Sequence, residues 1–100
     1  MQVRVGNARD IAPGHVRAYV VDLERIAVAN VEGRFYAFGD TCTHEGCSLA
    51  TGRLEGTIVQ CPCHGSRFDI GTGAVVRGPA ERPVKVVGLT DRNGELSIER

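Results

Sequence analysis

The sequence predicts an all-β protein, an antiparallel β-sandwich or barrel base that carries a smaller subdomain of loops and short strands. Three observations predict it. Apolar residues recur with short period in segments rich in Val, Ile and aromatics. Turn residues separate those segments at close spacing, the pattern of sandwiches and barrels. One zone, residues 40–82, breaks the alternation and gathers cysteine, histidine and glycine.

Each element can be justified in chain order. "NARDIA" (7–12) can form a short helical turn, and Pro13-Gly14 marks a turn. "VRAYVVDL" (16–23), "RIAVANV" (25–31) and "RFYAFG" (34–39) read as strands, the last two joined by a turn at Glu32-Gly33. Within the 40–82 zone "GTIVQC" (56–61) reads as a strand, while "GTG" (71–73) and "RGPAE" (77–81) read as turns. "VKVVGL" (84–89) and "ELSIER" (95–100) follow as strands, with Asn93-Gly94 the strongest hairpin signal in the chain. One hundred residues suit a single domain, 1–100. Its base is expected from 1–39 and 83–100, and its site from the loops between.

Composition narrows the function. Twelve Lys and Arg balance twelve Asp and Glu, so no basic stripe is available for nucleic acid. No apolar run is long enough to cross a bilayer, and "MQVRVGNARD" lacks a signal-peptide core, so no membrane and a cytoplasmic location are expected. With no Trp, two Tyr, three Phe and one Met, the core is lean enough to benefit from a covalent or metal staple.

Chemistry concentrates in two boxes, "CTHEGC" (42–47) and "CPCHGS" (61–66). Cys42 and His44 lie two apart, sixteen residues intervene, and Cys61 and His64 lie three apart. Two loops can each offer one thiolate and one imidazole to a four-ligand site. Zinc in such a set is conceivable, but zinc fingers pair like ligands within each short segment. Two structural disulfides and a Cys/His nucleophile are the other readings. The first lacks a secretion signal and the second leaves the duplicated box unexplained. Mixed ligation of a [2Fe–2S] cluster, two imidazoles on one iron and two thiolates on the other, uses all four.

The pattern C-x-H-x16-C-P-C-H-G-S resembles the Rieske iron–sulfur signature, and "RGPAE" resembles the proline loop over that cluster. The resemblance implies that Cys42 and Cys61 hold the inner iron, and His44 and His64 the outer one. It implies a disulfide between Cys47 and Cys63, a pair found in the high-potential branch of the family. Gly65, Ser66, Phe68 and Pro79 would surround the cluster, with the Ser66 hydroxyl donating to a sulfide. Phe68 stands where that branch usually has a Tyr, and Glu45 where quinol-oxidising relatives have Leu. A carboxylate there argues against quinol and suits partner docking.

The resemblance further implies a monomeric one-electron carrier between a ferredoxin reductase and a terminal oxygenase. A non-catalytic subunit of a larger oxidoreductase, like those of arsenite oxidase or cytochrome bc complexes, is the alternative. A redox sensor switched by Cys47 and Cys63 is a third. With neutral imidazoles the oxidised cluster carries no net charge, so an electron enters more readily than into an all-thiolate cluster. Ser66 and the bridge without a Tyr suggest a potential on the order of 0 to +200 mV. That potential should fall as pH rises through the imidazole pKa values.

Overall fold

The computed structural model describes residues 1–44 and 46–99. The chain runs through β1 (Gln2–Asn7), a 3-10 turn at Ala8–Asp10, β2 (Val16–Val21), β3 (Glu24–Val31) and β4 (Arg34–Gly39). A second 3-10 turn, Leu49–Thr51, precedes β5 (Arg53–Glu55), β6 (Ile58–Gln60), β7 (Arg67–Asp69) and β8 (Val75–Arg77). Then come β9 (Val86–Val87), β10 (Leu89–Arg92) and β11 (Glu95–Glu99). They form three antiparallel sheets, ordered β1-β11-β10, β2-β3-β4-β9 and β5-β6-β7-β8. The protein is all-β, as the sequence predicts.

The second sheet is the middle layer. Along β3 every residue from Ile26 to Asn30 is buried, because both of its faces are covered. Ile26 and Val28 pack with Ala37, Leu96 and Ile98 in one core. Ala27 and Ala29 pack with Phe38, Leu49, Val59 and Phe68 in the other. Phe38 pairs with Ala27 across β3 and β4, so a small side chain makes room for a large one.

Turn chemistry explains the hairpins. Asn93 and Gly94 have φ of 53° and 87°, the positive pair that a two-residue turn between β10 and β11 requires. Asp91 Oδ1 accepts the Gly94 N–H at 3.0 Å and closes that turn.

Three segments of the base differ from the sequence expectation. Residues 16–23 do not form one strand: Val21 pairs with Glu24, leaving Asp22 and Leu23 as a turn with φ of 50° and 69°. "VKVVGL" splits, with β9 in the middle sheet and β10 in the first, and Gly88 between them accepting the Glu99 N–H. Gln2–Asn7 is a strand outside the expected set; its outward Gln2 and Arg4 dilute the Val3 and Val5 alternation. The helical turn expected over 7–12 is the 3-10 turn Ala8–Asp10.

Candidate metal centre

Two loops closed by the same hydrogen bonds build the site. In the first, the Cys42 N–H donates to the Cys47 carbonyl at 2.9 Å and the Gly46 N–H to the Cys42 carbonyl at 2.8 Å. In the second, the Cys61 N–H donates to the Ser66 carbonyl at 2.8 Å and the Gly65 N–H to the Cys61 carbonyl at 3.2 Å. Each loop turns back through a glycine with φ of +78°, Gly46 or Gly65, a conformation that costs other residues strain. Two unlike boxes thus adopt one loop design, each opening on a cysteine.

The donors separate by depth. Cys42 and Cys61 are free thiols, each only 2% exposed, and pack in the core with Phe38, Leu49 and Phe68. Burial pushes the Cys61 thiol up; the Cys63 and His64 N–H groups oppose this, and a hydrogen bond with Cys42 adds to it. Binding to a metal removes such a proton. His44 and His64 are exposed, their ring centroids 5.4 Å apart and nearly perpendicular at 84°.

Cys47 and Cys63 are joined by a disulfide, with Cα atoms 6.5 Å apart, which ties one loop to the other. The sulfurs of Cys47, Cys61 and Cys63 lie within 4.8 Å of one another, yet only Cys61 among them keeps a thiol. Those three alone make no metal site. Glu45, expected at the docking face, lies outside the described residues.

The surrounding residues brace the loops. Ser66 is buried, and its Oγ accepts the Ala80 N–H at 3.0 Å. This ties the second loop to the turn holding the exposed Pro79. Thr43 Oγ1 donates to the Arg82 carbonyl at 2.7 Å and ties the first loop to the same turn. Phe68 is fully buried in the thiol-containing core.

Sequence reasoning missed Asp40. Its side chain has no exposed surface and accepts from Ser48 Oγ at 2.7 Å and the Ala50 N–H at 2.8 Å. Arg25 Nε lies 3.9 Å from it, and the same guanidinium donates to Thr41 Oγ1 and the Gly46 carbonyl, both at 3.0 Å. The one available signal was an acidic residue directly after an apolar strand and two before Cys42.

Two buried thiols and two exposed imidazoles, on loops tied together by the disulfide, suit a binuclear cluster with sulfur donors inside and nitrogen donors outside. A family model described as the Rieske [2Fe-2S] domain matches residues 1–88. The chain is 36% identical over 97 residues to Ferredoxin CarAc of Metapseudomonas resinovorans, covering 96% of this chain and 91% of that protein. It is 33% identical over 90 residues to the ferredoxin component of the naphthalene 1,2-dioxygenase system of Pseudomonas putida, covering 90% and 86%. A chain from the complex of reduced oxygenase and oxidized ferredoxin in carbazole 1,9a-dioxygenase matches with TM-score 0.91 at 36% identity, covering 97% and 91%. With a donor set and a fold that both suit the cluster, this chain belongs to the Rieske [2Fe-2S] domain family, takes one cluster of that type and serves as an electron carrier.

Proposed function

We propose that the chain is a soluble, cytoplasmic monomer that takes an electron from a ferredoxin reductase and passes it to a terminal oxygenase. Cys42 and Cys61 would hold the inner iron, and His44 and His64 the outer one. Residues 40–82 would form the cluster-binding subdomain, and 1–39 with 83–100 its base. The separation of donors by depth carries this reading: the thiols are 2% exposed while both imidazoles reach the surface. When bound, the cluster accepts and releases one electron. The buried thiols keep water from the sulfur side, and the exposed rings shorten the path to a docked partner. Support for an oxygenase comes from relatives named as ferredoxin components of dioxygenase systems.

Iron and sulfide analysis with EPR of the reduced protein tests the reading. Two irons per chain and a Rieske-type spectrum are expected, and His64→Ala should lose both. A wild-type spectrum in that variant would remove His64 from the ligand set. The Cys47–Cys63 disulfide favours a second reading, a subunit of a larger oxidoreductase. Purification as a stable heteromer would support the subunit over the lone carrier.

A further inference from the structure

Strand register places four side chains in one row across the sheet of β5 to β8. Arg53 lies opposite Gln60, Gln60 opposite Arg67, and Arg67 opposite Arg77, the last pair across a β-bulge that sets Val76 and Arg77 together against Arg67. Residues so paired share a face. The neighbouring row, with Leu54, Val59, Phe68 and Val75, turns into the core, so the arginine row faces outward. The row also has a definite address. Gln60 precedes Cys61, Arg67 follows Ser66, and Arg77 precedes the Pro79 turn. It therefore crosses the sheet at the end from which the His64 loop rises. Glu55, Ile58 and Asp69 form the outward row farther away.

The row holds three guanidiniums and no carboxylate. Arg67 Nε donates to Gln60 Oε1 at 2.9 Å, which fixes its head. Arg53 Nε stands 3.9 Å from Glu55 Oε1 with both side chains largely exposed, a contact of little consequence. Among the described residues no carboxylate pairs with Arg67 or Arg77. Like charges directly opposite across strands oppose folding, so stability gives no reason for this placement. Beside the row lies a shallow cleft of about 170 Å³, lined by Arg53, Gln60, Arg67, Ile58, Val76 and one carboxylate, Glu55, with Val76 55% exposed. Arginine forks with an apolar wall suit Asp and Glu side chains on a protein surface.

We propose that this row docks an acidic face of a protein redox partner, one that presents carboxylates around its own electron entry or exit. The inference rests on the electron-carrier reading above. The chain has zero formal net charge, so steering must come from a local patch, and this patch lies on the strands that carry the His64 loop.

Stopped-flow electron transfer with two protein probes of opposite charge tests it on the cluster-loaded protein. Reduced flavodoxin, which is acidic, gives one electron to the oxidised chain. Ferricytochrome c, which is basic, takes one electron from the reduced chain. The rate with flavodoxin should fall about tenfold or more between low and high salt. The double variant R53Q/R77Q should be several-fold slower with flavodoxin at low salt and no slower with cytochrome c. Rates with flavodoxin that are equal in wild type and variant at every salt concentration would overturn the docking surface and leave the carrier reading standing. No electron exchange with either probe would overturn both. Should the double variant fail to hold its cluster, R53E alone, at a side chain 74% exposed, carries the same comparison.

Discussion

At Ser66 the hydroxyl oxygen accepts the Ala80 N–H, which leaves the hydroxyl proton free to donate. The residue can therefore brace the loop and hydrogen-bond cluster sulfur together. Ser66→Ala should lower the midpoint potential, because a bond to sulfur stabilises the added electron. If that bond differs by about 1.4 kcal/mol between oxidation states, the shift is about 59 mV for one electron. An unchanged potential with lower stability would leave Ser66 as a brace alone. Phe68→Tyr should raise the potential if the new hydroxyl reaches a thiolate, and a redox titration reads that directly. Tyr19 presents the opposite case, a buried hydroxyl with no hydrogen-bond partner among the described residues. Burial pushes its phenol up, with Arg17 pulling down and Asp10 pushing up. The folded protein thus keeps this proton to higher pH than the unfolded chain does. Its contribution to stability is complete below about pH 10 and is lost as pH rises beyond. Tyr19→Phe should remove that alkaline loss and raise stability by about 1–3 kcal/mol, measured by denaturation at neutral and alkaline pH. The two Cys/His boxes, with Ser66 closing the second, were legible because the same residue types recur at close spacing. Asp40 and Tyr19 were not, since their importance lies in burial, which no motif marks.

Among the elements, the first loop depends on Asp40 and the second on Ser66. Asp40→Ala would leave the half-buried Ala50 N–H without its acceptor and free Arg25 from its carboxylate. A loss of at least about 1–3 kcal/mol is expected, with faster bleaching of the cluster on dilution into denaturant. Gly65→Ala should cost about 1–2 kcal/mol through its positive φ alone. A variant as stable as wild type would show that the loop reshapes at no cost. The disulfide closes sixteen residues of sequence separation, worth roughly 3 kcal/mol in the chain-entropy model. Strands of the base were legible where Val, Ile and aromatic residues run together between turn signals, as in 25–31, 34–39 and 95–100. The three-residue strands Arg53–Glu55, Arg67–Asp69 and Val75–Arg77 were not, because each shows too few core-facing residues to reveal a period. Asp22-Leu23 escaped for another reason: Leu lacks turn chemistry, and strand register alone forces its positive φ.

Across the whole molecule, the middle sheet makes two cores mechanically dependent while keeping them chemically distinct. One core contains both free thiols and the other contains neither. β3 gives Ala27 and Ala29 to the first and Ile26 and Val28 to the second, so neither core can lose its wall without the other. Global stability should therefore respond similarly to a large truncation on either side, whereas cluster retention should not. Phe38→Ala, in the thiol-containing core, and Leu96→Ala, in the other, each remove a side chain with no exposed surface. Losses of about 3–5 and 2–5 kcal/mol are expected in chemical denaturation. Under native conditions only Phe38→Ala should shed iron faster to a chelator, because its cavity opens beside Cys42 and Cys61. Equal iron loss from the two variants would mean that the cluster follows global stability, and that the thiol-containing core gives it no protection of its own.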